Sequence, residues 1–174
     1  MAGTGIVLCG LNGAGKSTMG RALAEKLSFH FIDIEDLFFP KTSPDYLYAD
    51  PRSNEEVAAL LMQETERHPR FVLAAVRAHY DPALYARFRC AVFLEVPKAV
   101  RLERVRARSY QKFGERMRPG GDLYEQEEAF FRFCEDREDS VVTDWLQTLP
   151  CPILRVDGTR PVEETAARLT SQLL

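Results

Sequence analysis

The chain lacks several features that would assign it to a specialised class of protein. No apolar run is long enough to span a membrane, and no charged-then-apolar leader with a cleavage site opens the sequence. The net charge is only −3 over 174 residues, which argues against nucleic-acid binding driven by net charge. No internal repeat or low-complexity segment occurs. These absences predict a single domain, residues 1–174, of a cytoplasmic protein without membrane or nucleic-acid partners.

Cysteine is scarce as well. The four cysteines are scattered along the chain and form no C-x-x-C pair. Cys9, Cys90 and Cys151 lie in or beside predicted strands. This distribution favours buried, reduced thiols over a disulfide or a metal site.

Near its start, however, the sequence contains a complete phosphate-binding loop. Residues 10–18, GLNGAGKST, follow the pattern G-x-x-x-x-G-K-[ST]. An apolar run precedes them, and a helical pattern with apolar residues at helical spacing follows. This context favours a nucleotide site over a glycine-rich turn without a ligand.

Each part of the loop has a physical role in binding a nucleotide. The glycines let backbone N–H groups approach phosphate oxygens, and the start of the helix attracts an anion. We expect Lys16 to contact the β- and γ-phosphates and Ser17 to bind Mg²⁺. The predicted nucleotide-binding residues of the loop are Asn12, Gly13, Ala14, Gly15, Lys16, Ser17 and Thr18.

Strands and helices are predicted to alternate along the chain. Apolar runs predict five strands, at residues 6–9, 29–32, 71–75, 91–96 and 153–156. Helical patterns occupy residues 17–27, 54–66, 82–87, 99–108, 123–147 and 161–173. This order indicates an α/β fold with a parallel sheet covered on both faces, and ligands bind beyond the carboxyl ends of such strands. Two irregular stretches, 38–53 and 109–122, are typical of binding loops or lids.

Carboxylates follow the second predicted strand. Asp33 could hold a water of the Mg²⁺ shell or take the proton from an attacking hydroxyl, so we predict it as a catalytic and metal-site residue. Glu35 or Asp36 could bind a substrate hydroxyl, or both could favour the first turn of the next helix. The third strand carries no Asp or Glu, although many P-loop enzymes place a second carboxylate there.

Arginines are predicted to provide the positive charge of the site. Arg77, at the end of the third strand, is placed to hold an anionic or hydroxylated substrate. Arginines on a closing loop can neutralise a transferred phosphoryl group, so we expect Arg108 with Arg116 or Arg118 to be catalytic. The alternative is charge pairing with the acidic residues 122–128.

Two further predictions lie in the C-terminal third of the chain. Arg137 is a weaker candidate for binding the substrate. The turn after the fifth strand could receive the adenine ring through the backbone of Gly158, Thr159 and Arg160. By itself, the run D-G-T is an ordinary turn.

With these motifs together, the chain resembles the nucleotide-kinase branch of P-loop proteins, which includes the adenylate kinases and shikimate kinases. The resemblance covers nearly the whole chain, through the phosphate loop, FIDIE at residues 31–35, FLEVP at 93–97 with the arginines after it, and VDGTRPVEE at 156–164. It implies a three-layer P-loop fold with a five-stranded parallel sheet of order 2-3-1-4-5. It also implies ATP as donor, Mg²⁺ as cofactor, a small Arg-bearing lid at about 109–122 and an acceptor-binding insertion at about 34–70.

The resemblance is divided between the two kinds of kinase. The run F-x-D-x-[DE] is similar to the shikimate kinase pattern, which would assign Asp33 to the metal and Glu35 to the acceptor hydroxyl. The glycine-rich turn that follows the third strand in shikimate kinases is absent, as is the Asp-Gly-Phe-Pro-Arg run of adenylate kinases. Arg77 could stand for the last residue of that run.

The sequence therefore predicts a kinase that transfers the γ-phosphate of ATP to a small metabolite or a nucleoside monophosphate, as a monomer or homodimer. The alternative is an ATP-binding regulatory module or slow ATPase, which the missing third-strand carboxylate favours. A GTPase is disfavoured because no N-K-x-D segment occurs. A nucleic-acid role for the basic stretch would require salt-sensitive binding.

Overall fold

The computed structural model describes residues 3–174, which form an α/β fold of alternating strands and helices. The strands are β1 (Gly5–Cys9), β2 (His30–Asp33), β3 (Phe71–Ala74), β4 (Phe88–Glu95) and β5 (Ile153–Asp157). The helices are α1 (Lys16–Leu27), α2 (Ile34–Phe38), α3 (Asn54–Arg67), α4 (Lys98–Phe113), α5 (Tyr124–Asp136), α6 (Ser140–Leu146) and α7 (Val162–Leu173). Short 3₁₀ turns cover Pro82–Arg87 and Gly114–Met117.

The five strands form one parallel sheet in the order β2-β3-β1-β4-β5, which confirms the predicted fold class. The central strand, β1, pairs with β3 on one side and β4 on the other, so that Leu8 lies opposite Ala74 and Val92. This order brings the carboxyl ends of β1, β2 and β3 next to one another. The loops that follow these strands therefore meet at one edge of the sheet.

The side chains of β1, which point to alternate faces of the sheet, are buried on both of those faces. Side chains of a strand point to opposite faces in turn. Ile6 and Leu8 pack with Leu23 of α1 and Leu169 of α7. The intervening residues of β1 pack on the other face with side chains from α3 and α6, namely Val7 and Cys9 against Leu61, Trp145 and Leu146. Burial on both faces accounts for the unbroken apolar sequence of the central strand.

The predicted helix boundaries need three corrections. Helix α4 runs on to Phe113, because Ser109 and Phe113 extend its buried face in steps of four residues. Residues 109–113 are therefore helical and not part of an irregular lid. The predicted helix 123–147 is two helices, which separate at residues 137–139, and Arg137 has an extended backbone. Residues 34–38, which were not among the predicted helices, form α2 with Asp33 as its N-cap, and Glu35 and Asp36 lie in its first turn, as the alternative given for them predicted.

Of the stretch predicted to be irregular, 38–53, all but Phe38 lies outside every helix and strand, while the binding role of the insertion at about 34–70 stays a prediction. Helix α3 then starts at a capping box formed by Ser53 and Glu56. Among residues 3–174, no helix is both long enough and apolar enough to cross a membrane.

Candidate active site

The loop between β1 and α1 has the backbone conformation that its glycines allow. Gly13 and Gly15 adopt φ angles of +84° and +90°, in the left-handed region that L side chains rarely adopt. A Cβ atom on Gly13 would lie 2.3 Å from the carbonyl oxygen of Arg101. The tight fit explains why a glycine is needed at position 13 and shows that α4 packs directly against the loop.

Two arginines of α4 donate hydrogen bonds to backbone carbonyls of the loop. Arg101, which is buried, donates from Nε to the carbonyl of Val96 (3.2 Å) and from Nη1 to the carbonyl of Asn12 (3.4 Å). Arg104 donates to the carbonyls of Gly13 (3.3 Å) and Gly158 (3.1 Å). Arg101 and Arg104 therefore position the loop through its backbone carbonyls.

The link through Arg104 places the turn after β5 beside the phosphate loop. The backbone N–H of Gly158 donates to the carbonyl of Glu95 (2.9 Å), and Asp157 accepts hydrogen bonds from the backbone and hydroxyl of Thr159. Arg160 is exposed, 4.0 Å from an oxygen of Asp157. The turn is thus adjacent to the site, and its contact with adenine stays a prediction.

A cavity of about 590 Å³ opens in front of the loop, at the carboxyl ends of β1, β2 and β3. It brings together half of the predicted site residues, although they are far apart in the sequence. Those that line it are Asn12, Gly13, Lys16, Ser17, Asp33, Glu35, Arg77, Arg108 and Arg137. Ala14 and Gly15 form the turn into α1, while Thr18 and Asp36 line a neighbouring groove of about 660 Å³ along α1.

One end of the cavity has the oxygen ligands that a magnesium ion prefers. The hydroxyl of Ser17 donates to Oδ2 of Asp33 at 2.6 Å, and Oδ1 of Asp33 accepts from the backbone N–H of Glu35 at 3.1 Å. Asp33 is buried, so these contacts fix its position. Hydroxyl and carboxylate oxygens suit Mg²⁺, and the pair is adjacent to the loop that would hold the phosphates. The residues present therefore fit a magnesium ion.

Lys16 has an unusual electrostatic environment at this end of the cavity. Its Nζ donates to the carbonyl of Leu11 at 3.1 Å. Desolvation and, less strongly, the nearby charge of Arg108 lower the pKa of Lys16 from 10.5 to about 8, and the charge of Asp33 partly opposes them. A triphosphate beside Nζ would favour the charged form and raise this pKa again.

We therefore expect nucleotide binding to be accompanied by proton uptake between about pH 8 and 9. In that window free Lys16 is partly neutral, because its pKa is about 8, whereas bound Lys16 is charged. Affinity for MgATP should accordingly fall as the pH rises above 8. Calorimetry in two buffers of different ionisation enthalpy measures the protons taken up. The variant Lys16→Arg, whose charge does not titrate, should show no uptake, and uptake that persists in it would contradict this assignment.

Two arginines that line the cavity, Arg77 and Arg137, have no carboxylate partners among the residues that the structure describes. The buried Nε of Arg77 has no hydrogen-bond acceptor within the part of the chain that the structure describes. Arg137 donates to Oδ1 of Asn12 at 3.1 Å, and desolvation together with the charge of Arg77 lowers its pKa. Within residues 3–174, no carboxylate lies at ion-pair distance from either guanidinium. The wall is suited to an anion that the ligand supplies.

Aromatic side chains form much of the remaining wall, and sequence reasoning missed most of them. They are Phe38, Phe39, Tyr46, Tyr48, Tyr80, Phe113, Phe130 and Phe133. Only the aromatic residues in the irregular insertion could have indicated the cavity from the sequence, because a loop residue is not part of the buried face of a helix or strand. The phenylalanines of α4 and α5 have a spacing that is equally typical of core positions.

The aromatic wall is anchored by polar contacts that the sequence did not reveal. Tyr46 donates to the buried carboxylate of Glu127 at 3.4 Å, and Ser109 donates to the other oxygen of Glu127. Burial and the Glu127 charge raise the pKa of Tyr46 to about 12. Lys112 hydrogen-bonds to the hydroxyl of Tyr48. These contacts tie the insertion to α4 and α5 and so enclose the cavity.

Three further predicted residues with charged side chains lie outside the cavity, each in an ion pair. Arg116 contacts Asp122 at 2.8 Å, Arg118 lies 3.7 Å from Glu115, and Asp36 lies 3.7 Å from Lys41. In this conformation Arg116 has the pairing with residues 122–128 that the sequence offered as an alternative, whereas Arg118 pairs with Glu115. A catalytic role for either one stays a prediction that requires the lid to move.

Comparison with known proteins places this architecture in a family. The model of the family described as the AAA domain matches residues 6–145, which is most of the chain. The chain belongs to the AAA domain family. A shikimate kinase from Thermosynechococcus vestitus is 28% identical to this AAA domain protein over 169 residues, which is 87% of this chain and 92% of that protein. The uncharacterized protein YqaC of Bacillus subtilis is 27% identical over 176 residues, which is 97% of this chain and 96% of YqaC.

Solved structures show the same fold. A shikimate kinase from Acinetobacter baumannii in complex with shikimate has a TM-score of 0.61 at 20% identity, covering 98% of this chain and 93% of that one. A gluconokinase from Sinorhizobium meliloti has a TM-score of 0.55 at 22% identity, covering 99% and 97%. The predicted membership of the P-loop kinase group is therefore confirmed for this AAA domain, at the level of the group.

Proposed function

We propose that the protein is an ATP-dependent phosphotransferase that uses Mg²⁺ and transfers the γ-phosphate to a small anionic acceptor. One observation supports this above all: the phosphate loop and the unpaired arginines Arg77 and Arg137 face the same cavity. A nucleotide-binding protein with no acceptor would have little reason to keep two guanidinium groups desolvated without a counter-charge. The kinase names of two relatives are consistent with this proposal.

The cavity residues divide into a donor side and an acceptor side. On the donor side, Lys16 and the loop amides bind the β- and γ-phosphates, while Ser17 and Asp33 hold the magnesium ion, which would neutralise charge on the phosphate oxygens. Arg108 reaches the same end and can stabilise the charge of the group in transfer. The acceptor side consists of the two arginines and the aromatic wall.

Asp33 is also placed to serve the acceptor. It lies at the junction of the two sides, with Glu35 next to it on α2. A carboxylate there can take the proton of an attacking hydroxyl or orient it. Glu35 can accept a hydrogen bond from a second hydroxyl of the acceptor.

The aromatic wall favours one of the two acceptor classes predicted from the sequence. A small hydroxy acid needs polar partners on most of its faces, whereas eight aromatic side chains line this cavity. Aromatic rings can stack on any nucleobase, because every base has a π-face. A nucleoside monophosphate would place its base on this wall and its phosphate on Arg77 and Arg137.

The test is ADP formation from MgATP with a panel of nucleoside monophosphates, nucleosides, sugars and hydroxy acids including shikimate and gluconate. We expect an anionic acceptor, best of all a nucleoside monophosphate, to raise ADP release well above the rate without acceptor. Arg77→Ala and Arg137→Ala should each lower kcat/KM for that acceptor by about 10- to 100-fold, because a hydrogen bond to a charged group is lost. Arg132→Ala, an exposed arginine of the same helix region, is the matched control.

Two outcomes would count against the proposal. ADP release that no acceptor accelerates would favour the slow ATPase or regulatory module. Acceleration by a neutral acceptor, with no effect of either arginine variant, would retain the kinase but reject the anion site.

A further inference from the structure

A second cluster of chemically active side chains lies at the opposite end of β2 from Asp33. His30 is the first residue of β2, Glu64 is in the last turn of α3, and His68 is the C-cap of that helix. One ligand atom from each of the three residues lies within 4.8 Å of the others. The sequence contains only three histidines, and two of them meet here.

Two of the ligand atoms in this cluster are already near the spacing of a metal site. Nε2 of His30 and Oε2 of Glu64 are 3.1 Å apart. In a tetrahedral zinc site with bonds of roughly 2.0–2.2 Å, neighbouring ligand atoms are separated by roughly 3.3–3.6 Å. The rings of His30 and His68 are stacked, with centroids 3.8 Å apart and planes inclined by 20°, so one ring must turn for a nitrogen of each to reach the same ion.

The local structure holds the ligands in this arrangement. Glu64 and His68 are four residues apart at the end of α3, which places them on one helix face. Arg67 lies 3.6 Å from Oε1 of Glu64, and Oε2 is left for His30. A neighbouring donor that orients a carboxylate ligand in this way is a common feature of metal sites.

We propose that His30, Glu64 and His68 bind a divalent transition-metal ion of the Zn²⁺ type. Two imidazoles and one carboxylate form a ligand set that proteins use for zinc, with a water in the fourth position. All three side chains are partly or fully exposed, so the ion can enter from solvent. Because the ligand atoms lie within 4.8 Å of one another, binding would require rotation of side chains and not movement of the backbone.

The bound ion would connect β2, the edge strand of the sheet, to the C-terminal end of α3. The other ends of these two elements, at Asp33 and Asn54, both line the active-site cavity. The metal would therefore hold β2 and α3 in fixed relative positions on the acceptor side without contacting the acceptor. This inference is independent of the proposed function, since it concerns only residues outside the cavity.

The test is a titration of the full-length protein with Zn²⁺ in competition with a chromogenic chelator, without nucleotide. We expect one equivalent to bind, and His30→Ala and His68→Ala each to weaken binding by at least about tenfold. His79→Ala, which removes the third histidine, is the matched control and should keep the wild-type affinity. Zn²⁺ should raise the Tm of the wild type but not that of either ligand variant, because only a ligand of the folded state stabilises it.

Cobalt provides a direct view of the ligands, since the d–d bands of bound Co²⁺ are strong at a four-coordinate site and weak at a six-coordinate one. Strong bands that disappear in Glu64→Gln would support the site even if a histidine variant folded poorly. The proposal is overturned if Zn²⁺ does not bind, or if binding survives both histidine substitutions. It is equally overturned if the affinity depends on Cys151, the half-buried thiol, as shown by its loss in Cys151→Ser.

Discussion

Replacing Lys16 by methionine is expected to lower kcat/KM for MgATP by about 10²- to 10³-fold, the range seen when one preorganised electrostatic donor is removed from an active site. Methionine keeps much of the length of the side chain but has no charge. The ammonium group is desolvated and lies close to Arg108 and Asp33, so a phosphate oxygen placed there interacts with it in a poorly screened environment. Steady-state ADP release and calorimetric MgATP binding measure the two parts of the effect.

A matched control for this prediction lies on the same helix. Lys26 is in the last turn of α1 and pairs with Glu163 at 3.0 Å on the surface. Lys26→Met removes an identical side chain without altering the loop, and activity should remain near the wild-type value. Equal losses in the two variants would mean that the helix, and not the ammonium group of Lys16, had been disturbed.

The second large effect is expected at Asp33. Asp33→Asn keeps the shape of the side chain and its hydrogen bond from Glu35, but removes the negative charge that faces Ser17. The rate of phosphoryl transfer should fall by about 10²- to 10⁴-fold, the usual contribution of a positioned acid or base. Asp144→Asn, an exposed carboxylate on α6, serves as the control.

The same variant distinguishes the two roles that the sequence left open. If Asp33 holds the magnesium ion, Asp33→Asn should raise the Mg²⁺ concentration needed for half-maximal activity. If Asp33 is the base for the acceptor hydroxyl, that concentration should not change and only kcat should fall. Wild-type activity in Asp33→Asn would exclude both roles.

The donor side of the site was predictable because it depends on local sequence. A strand, a glycine-rich turn and a helix follow one another within residues 5–27, so the phosphate loop needs no distant contact to be recognised. Asp33 and Arg77 were predictable for a different reason: each follows a buried strand, and parallel strands end at a shared edge.

The acceptor side was less predictable because its walls come from four separate segments. Phe113, Phe130 and Phe133 have helical spacing, which does not distinguish a cavity wall from a core. In the sequence, Glu127 is one acidic residue in an acidic run and is expected to be exposed. In the structure it is buried and accepts hydrogen bonds from Ser109 and Tyr46. Such partners depend on how α4, α5 and the insertion pack, which one-dimensional patterns do not encode.

The arginines of α4 show the same limit in a single element. Helical spacing places Arg101, Arg104 and Arg108 on one face of α4, and the sequence predicted a role only for Arg108. Packing against the loop shows that the other two bind backbone carbonyls, while Arg108 reaches the cavity. A buried arginine on carbonyl oxygens was not foreseen, since charge runs usually lie on solvated faces.

Arg104 joins the carbonyls of Gly13 and Gly158 through one guanidinium, which is a planar and rigid fork. The two segments that would surround ATP are thereby fastened into one preassembled cradle. Residues 39–53 lie outside every helix and strand and take no part in that cradle. They are held instead by contacts such as the hydrogen bond from Arg116 to the carbonyl of Asp45 at 2.7 Å. Selection for a new acceptor can therefore act on that segment while leaving the residues that would bind ATP intact. Divergence among relatives should be concentrated there.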